Sequence, residues 1–496
     1  MVVGTTSHAG KSMLTAAICR MLKRRGYRVS PFKGQNMALN AYVTDEGLEM
    51  GHAQAVQAWA AGVKPQIAMN PILLKPQGNM TSQIIMKGQV VGQVQAADYY
   101  RLYFERGWQA IVESLETLQQ SFDWIVCEGA GSPAEINLKH RDLTNMRVAK
   151  HLNAPTLLVA DIDRGGVFAH IVGTLELLDP DERALIQGFV INKFRGQRSL
   201  LESGLTWLEE RTGIPVVGVI PWVDEVFPSE DSLSLLERPV RGEVRDISIA
   251  VVRLPRVANF TDFDPLEAEP TVQVRYILPG QALGSPDAVI LPGSKTTIAD
   301  MQVLHESGLA AQIQSFAKAG GMVLGICGGF QMLGEAIADP HGLEGEAIAV
   351  SGLGLLPMKT EMALEKTTRQ RTTQSRILSE HFSQFSRVCK ICGYEIHQGQ
   401  TQILDPSTLL SLFDDPSLGV VSLENGVMGT YLHDLFGNGP WRRMWLNQLR
   451  DRKGLPLLET QIPPYEIQRD QLLDRITDAV SPHLDLSTLM ADPLEP

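Results

Sequence analysis

A nine-residue run near the start of the chain sets the strongest constraint on its fold. Gly4-Thr5-Thr6-Ser7-His8-Ala9-Gly10-Lys11-Ser12 lies between the apolar pair Val2-Val3 and a helical pattern. It has the form of a phosphate-binding loop with one extra residue between its glycines. Backbone N–H groups at the start of a helix cradle phosphate, a lysine reaches the β and γ oxygens, and a hydroxyl binds Mg²⁺. Thr5, Thr6, Gly10, Lys11 and Ser12 are therefore candidate nucleotide-binding residues, with Ser12 also a candidate Mg²⁺ ligand. The helix behind the loop repeats Leu14, Ile18, Met21 and Leu22 on one face. Lys23, Arg24 and Arg25 stand at its C-terminal end, and Gly26 comes next as a cap. A short strand feeding such a loop needs parallel neighbours, which makes the fold class α/β. The first strand has only three residues, against the usual five or six, so a few residues upstream of Met1 are expected to complete it.

The neighbours are legible. Phe122–Glu128, Thr156–Asp161, Gly188–Asn192 and Val216–Ile220 are short apolar runs without strict alternation, as suits parallel strands buried on both faces. A polar connector rich in Pro, Glu and Arg comes after them. A second α/β series begins with Ile247–Leu254 and continues through Asp287–Leu291 and Gly321–Ile326. This divides the chain into a first domain over 1–230, a linker over 231–245, a second domain over 246–450 and a helical tail over 451–496. The Thr- and Arg-rich stretch from Lys359 to Gln374 reads as a surface loop. Composition excludes some partners. The formal charge of −12 offers no general electrostatic footprint for nucleic acid or an anionic membrane. Five scattered cysteines form no disulfide framework, and no apolar run is long enough to span a bilayer, so a cytoplasmic protein is expected.

Several strand ends carry polar groups suited to a phosphate site. Glu128 and Asp161 each end an apolar strand, where a carboxylate holds Mg²⁺ directly or through water. Asn192 and Lys193 end another and can read a purine base, while Lys33 can face a phosphate or a substrate carboxylate.

A second site is written around Cys327. Gly321–Ile326 leads into Cys327-Gly328-Gly329-Phe330-Gln331, a strand, a sharp glycine turn and a helix. This is a nucleophile-elbow layout, and a helix N-terminus favours the thiolate. His433, in Thr430-Tyr431-Leu432-His433, is the best candidate base, and the N–H groups of Gly293 and Gly328 can form an oxyanion hole. Cys389 and Cys392 have metal-ligand spacing without a second cysteine pair. Asn259-Phe260-Thr261-Asp262-Phe263-Asp264 is an acidic, turn-like stretch that suits a loop and a substrate contact equally well.

These residues together resemble the cobyric acid synthase family, glutamine-dependent amide ligases of cobalamin biosynthesis. The resemblance covers nearly the whole chain. It is carried by Gly4–Ser12, Pro31–Met37 with Leu39–Tyr42, Asn70–Pro76, Glu128–Asn137, Asp163–Gly166, Asn192–Gly196, Pro292–Thr296, Gly393–His397 and Tyr431–His433. It implies a P-loop, dethiobiotin-synthetase-like parallel-sheet domain followed by a class I, triad-type glutamine amidotransferase domain. It implies ATP and Mg²⁺ as cofactors, L-glutamine as ammonia donor, and a corrinoid, adenosylcobyrinic acid a,c-diamide, as partner. The b, d, e and g carboxylates would be amidated through acyl phosphates, with Lys33, Gln35 and Asn36 at the substrate and phosphate. The Gln35-Asn36-Met37 block argues against the related a,c-diamide synthase, and the Cys–His domain against a P-loop switch ATPase.

Two positions depart from the wider pattern. Leu435 stands where most triad amidotransferases carry Glu, so the resemblance implies a Cys327–His433 dyad, with Asp434 and Glu395 as possible orienting groups. His52, in Glu49-Met50-Gly51-His52-Ala53-Gln54, stands where Arg is expected. A substrate contact made by that Arg would be weakened or served otherwise.

Overall fold

Apolar runs without alternation suit parallel strands covered on both faces, and those of the first half lie side by side in one sheet. In the computed structural model, which describes residues 1–78, 80–223, 227, 245–345, 348–376 and 388–487, Val2–Gly4 pairs in parallel with Thr156–Asp161. Ile186–Phe194 and Val216–Pro221 extend the sheet on that side. On the other side Val29–Phe32 pairs with Trp124–Cys127. A parallel bridge from Val2 to Glu128 joins the two groups, and the Gly129 N–H donates to the Val2 carbonyl at 2.9 Å. Gly4, Glu128, Asp161 and Asn192 thus reach the carboxyl edge of one parallel sheet, where open α/β sheets bind ligands. The three-residue first strand sits near its middle. Between Phe32 and Trp124 the chain makes a small mixed sheet of Gln35–Met37, Ile72–Gly78, Thr81–Met86 and Gln89–Gln95, and the hairpin Ala41–Val43 with Glu49–Gly51.

The second half is a seven-stranded sheet ordered Val272–Ile277, Ile247–Val252, Ala288–Leu291, Met322–Ile326, Val427–Thr430, Gly419–Ser422, Leu409–Ser411. The first five strands are parallel, and the last two are joined on by antiparallel pairing, so that Gly419–Ser422 alone runs the other way. Three adjacent parallel strands end just before Gly293, Cys327 and His433, which brings residues far apart in sequence to one edge.

The stretch read as a surface loop is a strand. Met358–Gln374 pairs antiparallel with Lys390–Ile403, with a register break between Met362 and Thr367. Its Thr-rich alternation is strand-like, and its polarity arises because one face is exposed while the other meets the first half. There Lys366 bonds Glu49, and the Gln370 amide donates to the Val43 carbonyl.

The C-terminal helix Tyr465–Val480 returns to the first half. Leu473, Val480, Leu484 and Leu486 are buried in the same core as Leu14, Ile18 and Leu22. Arg20 and Arg24 of the first helix, Lys11–Arg24, pair with Asp470, Asp474 and Asp478. The expected linker, apart from Arg245, lies outside the described residues.

Candidate functional site

The phosphate loop closes onto its helix at Gly10, which adopts φ +96°, a conformation costly for other residues. The Lys11 ammonium donates to the carbonyls of Thr6 and Gly131, both at 3.0 Å, so it lies across the loop mouth. Ser12 Oγ donates to Glu128 Oε1 at 2.7 Å. Lys33 Nζ stands 3.2 Å from the same oxygen, and Gln57 Nε2 donates to Glu128 Oε2 at 2.6 Å. Glu128 is buried, and these donors keep its charge tolerable there. Ser12, Lys33 and Glu128 are thereby brought together. The hard oxygens of Ser12 and Glu128 suit Mg²⁺, which takes few protein ligands beside nucleotide phosphates.

Other residues expected at this site have different partners. Asp161 accepts from Lys193 Nζ at 2.8 Å and from the Asp163 N–H at 2.9 Å. Asn192 donates to the Ala9 carbonyl at 2.9 Å, so its amide buttresses the loop from behind. The Thr5 N–H is taken by the Val159 carbonyl. Gln35 accepts from the Tyr99 hydroxyl at 2.6 Å, and Asn36 donates to Gln54 Oε1 at 2.9 Å. His52 is half-buried, edge-on to Trp59. Burial, reinforced by the nearby Arg469 charge, lowers its pKa to about 3, so it is neutral. Arg469 reaches this spot from the C-terminal helix and lies 3.4 Å from the centre of the Trp59 ring. A guanidinium thus stands beside the position where the sequence lacks one.

At the second site Cys327 takes φ +52° and ψ −109°, the strained conformation of an elbow. The glycines after it are sterically required: a Cβ on Gly329 would lie 2.0 Å from the Leu291 carbonyl oxygen. A Cβ on Gly293 would stand 3.2 Å from His433 Cε1 and 3.8 Å from Cys327 Cβ, so Gly293 overhangs the pair. One on Gly328 would lie 2.8 Å from the Ser294 nitrogen, which brings the two candidate oxyanion segments together. His433 is buried and lines the same pocket as Cys327, whose thiol donates to the Ile396 carbonyl at 3.6 Å.

A third group stands beside the expected pair. His433 Nδ1 lies 2.7 Å from Asp262 Oδ2, and Asp262 Oδ1 accepts the Asp434 N–H at 2.8 Å. Burial opposes protonation of His433. The Asp262 charge and hydrogen bond, together with Cys327, outweigh it and raise the imidazole to about 10. Asp434 contributes its backbone N–H to Asp262, and the carboxylate that meets His433 is that of Asp262. Glu395 is engaged by Arg369, Arg371 and His397. Asp262 belongs to the acidic turn after Asn259, and in the sequence only its turn-like composition marks it. Tyr394 stacks on His433 with ring centres 5.3 Å apart. Its hydroxyl donates to the Ala41 carbonyl of the first half at 3.1 Å and accepts from Asn259 at 3.2 Å. Cys389 and Cys392 face Ser375 and Thr372 respectively.

The arrangement joins a phosphate-binding loop to a thiol–imidazole–carboxylate relay. It defines a nucleotide-binding unit coupled to a glutamine amidotransferase, and the family profiles agree. The CobQ/CobB/MinD/ParA nucleotide binding domain matches residues 1–235, and the CobB/CobQ-like glutamine amidotransferase domain matches 248–441. A cobyric acid synthase of Acaryochloris marina is 68% identical over 490 residues, covering 99% of each chain. One from Synechococcus elongatus is 64% identical over 491 residues, again with 99% of each chain covered. The chain belongs to the cobyric acid synthase family, and it is a ligase that draws on ATP and glutamine.

Proposed function

We propose that this chain amidates the b, d, e and g carboxylates of adenosylcobyrinic acid a,c-diamide, giving adenosylcobyric acid. The observation that carries the reading is the Cys327–His433–Asp262 relay set against a P-loop domain in one polypeptide. Cys327 thiolate adds to the amide carbon of glutamine, and the N–H groups of Gly293 and Gly328 receive the oxyanion. His433 delivers a proton to the departing nitrogen, the C–N bond breaks, and ammonia and a thioester result. Water attacks the thioester, the C–S bond breaks and glutamate leaves. Asp262 fixes the imidazole through Nδ1, so that Nε2 serves the thiol.

In the P-loop domain a peripheral carboxylate attacks the γ phosphorus of ATP and ADP leaves. Ammonia then attacks the acyl phosphate, phosphate departs, and one proton is lost. Lys11 and the loop amides hold the phosphates, and Lys33 offsets charge beside Glu128. Ser12 and Glu128 would hold Mg²⁺, which neutralises charge on the β and γ phosphates. Acyl phosphates hydrolyse, so delivery of ammonia inside the protein is advantageous.

Mass spectrometry of the a,c-diamide incubated with ATP, Mg²⁺ and glutamine tests this reading. Four successive losses of about one mass unit each, OH replaced by NH₂, are expected. An unchanged mass from enzyme that still releases glutamate would refute the substrate.

A further inference from the structure

The segment that overhangs Cys327 is tied down by a buried carboxylate. Ala288–Leu291 runs out of the seven-stranded sheet into Gly293–Ser294, a two-residue strand paired antiparallel with Val257–Ala258, and the helix Thr297–Glu306 follows. A two-stranded pairing of this length has little stability of its own. Asp300, in the first turn of the helix, is fully buried. Its Oδ2 accepts the Ser294 hydroxyl at 2.7 Å and the Arg256 N–H at 3.2 Å. The Ser294 hydroxyl accepts the Thr296 N–H at 3.1 Å, and the Lys295 N–H donates to the Arg256 carbonyl at 3.0 Å. One carboxylate oxygen thus joins both short strands to the helix.

The group is expensive for a helix start. Burial pushes the Asp300 carboxyl up to about 6, against the Ser294 and Arg256 hydrogen bonds and the Arg256 charge, which lower it. The Arg256 guanidinium stands 3.7 Å from Oδ1, and among the described residues Oδ1 has no hydrogen-bond partner. A neutral cap would serve the helix at less cost, yet Thr296 stands at the cap position and makes no side-chain cap bond. What the carboxylate holds is the roof of the thiol. Ser294 and Lys295 line the Cys327 pocket. A Cβ on Gly328 would stand 2.8 Å from the Ser294 nitrogen and 3.1 Å from Ser294 Cβ, so Ser294 rests directly on the glycine turn after Cys327. Any shift of Ser294 is carried into the backbone that faces the reacting carbon.

We propose that Asp300 is a positioning residue for glutamine hydrolysis: through the Ser294 hydroxyl it fixes the Gly293–Ser294 backbone over Cys327. The proposal rests on the Cys327–His433 reading above. Donors to an oxyanion act only when they are already in place, and a displacement of about 1 Å can cost about a hundredfold in rate. Asp300 acts on the transition state rather than on glutamine binding, so its loss falls on kcat.

The test measures glutamate release by full-length enzyme, alkylation of Cys327 by iodoacetamide, and thermal melts. Ser294→Ala and Asp300→Ala should each lower kcat by about 10–100-fold, with KM and the alkylation rate within about threefold of wild type. The double variant should be no worse than Asp300→Ala by more than about twofold, because the two residues act as one unit. Asp300→Asn keeps an oxygen in place of Oδ2 and should recover to within about threefold of wild type; it also serves if Asp300→Ala melts out. Wild-type kcat in Ser294→Ala would overturn the proposal. So would alkylation slowed in step with kcat, because the fault would then lie in the thiol and its base, and so would a loss confined to KM. Cys327→Ala separates the two readings: if it still releases glutamate, the relay reading fails and takes the clamp with it. If it is inactive while Ser294→Ala and Asp300→Ala match wild type, the clamp alone fails.

Discussion

Asp262→Asn removes one charge and leaves the shape of the relay almost unchanged. The Asp262 carboxylate stands 2.7 Å from His433 Nδ1 in a buried site. At a charge separation of about 4 Å and an effective dielectric of about 20, the carboxylate–imidazolium attraction is about 4 kcal/mol. The asparagine amide restores part of this by hydrogen bonding, which places the net loss near the 1.5–3 kcal/mol of a hydrogen bond to a charged group. Asparagine still accepts the Asp434 N–H through its Oδ1. Its amide then donates to His433 Nδ1 and enforces the tautomer that points an N–H at Cys327. Both effects oppose thiolate formation. Together they predict a fall of about 10²–10³ in kcat/KM for glutamate release. They also predict an imidazole pKa well below about 10. Glutamate release measured from pH 5 to 10, with ammonium-driven amidation followed in parallel, reads both. The ammonium reaction should be unchanged. A variant that keeps more than about a third of wild-type glutaminase activity would refute the relay, because a merely structural carboxylate predicts no such selective loss.

Cys327→Ala should abolish glutamine-driven amidation and spare the ammonium-driven reaction, whereas Lys11→Ala should lose both; amide formation with each nitrogen donor separates the two outcomes. Burial opposes ionisation of Glu49, but Lys366 and Lys75 outweigh it and hold the carboxyl at about 2, below its ordinary value of 4.5. Its folded-state pKa is depressed, so its stabilisation is present above about pH 4.5 and is lost as the pH falls towards 2. That shift is worth about 3 kcal/mol, and denaturant unfolding between pH 6 and 3 should show Glu49→Gln flattening the acid side of the profile. Leu473→Ala, at a buried position of the C-terminal helix, should cost about 2–5 kcal/mol, while Ile467→Ala on its exposed side should cost under about 0.5 kcal/mol, both read from thermal melts.

What a single sequence reveals of this fold is what is local. The phosphate loop and the Cys327 elbow each carry strand, turn and helix within one short window, so spacing alone exposes them. The acidic turn is visible, but its role is not. Asp262 meets His433 only because Ala288–Leu291, Met322–Ile326 and Val427–Thr430 are adjacent and Phe260 and Phe263 are buried beside them. Nothing in the spacing of Asp262 encodes that approach. Asn192 reads as a base contact because it ends a strand at the ligand edge; its amide turns inward to the loop backbone. Met358–Gln374 reads as a loop because its polar residues serve an interface between two halves, which a single-sequence pattern scores as solvent.

The return of Tyr465–Val480 to the first helix makes the nucleotide-binding unit discontinuous in sequence. A nascent chain that has released its first two hundred or so residues still lacks Leu473, Val480, Leu484 and Leu486, a strip of that unit's own core. Its completion therefore waits until the amidotransferase half has been synthesised. A gene cut between the halves would give an N-terminal fragment with an exposed apolar groove beside Leu14 and Leu22, and adding the last helix in trans should restore its cooperative unfolding.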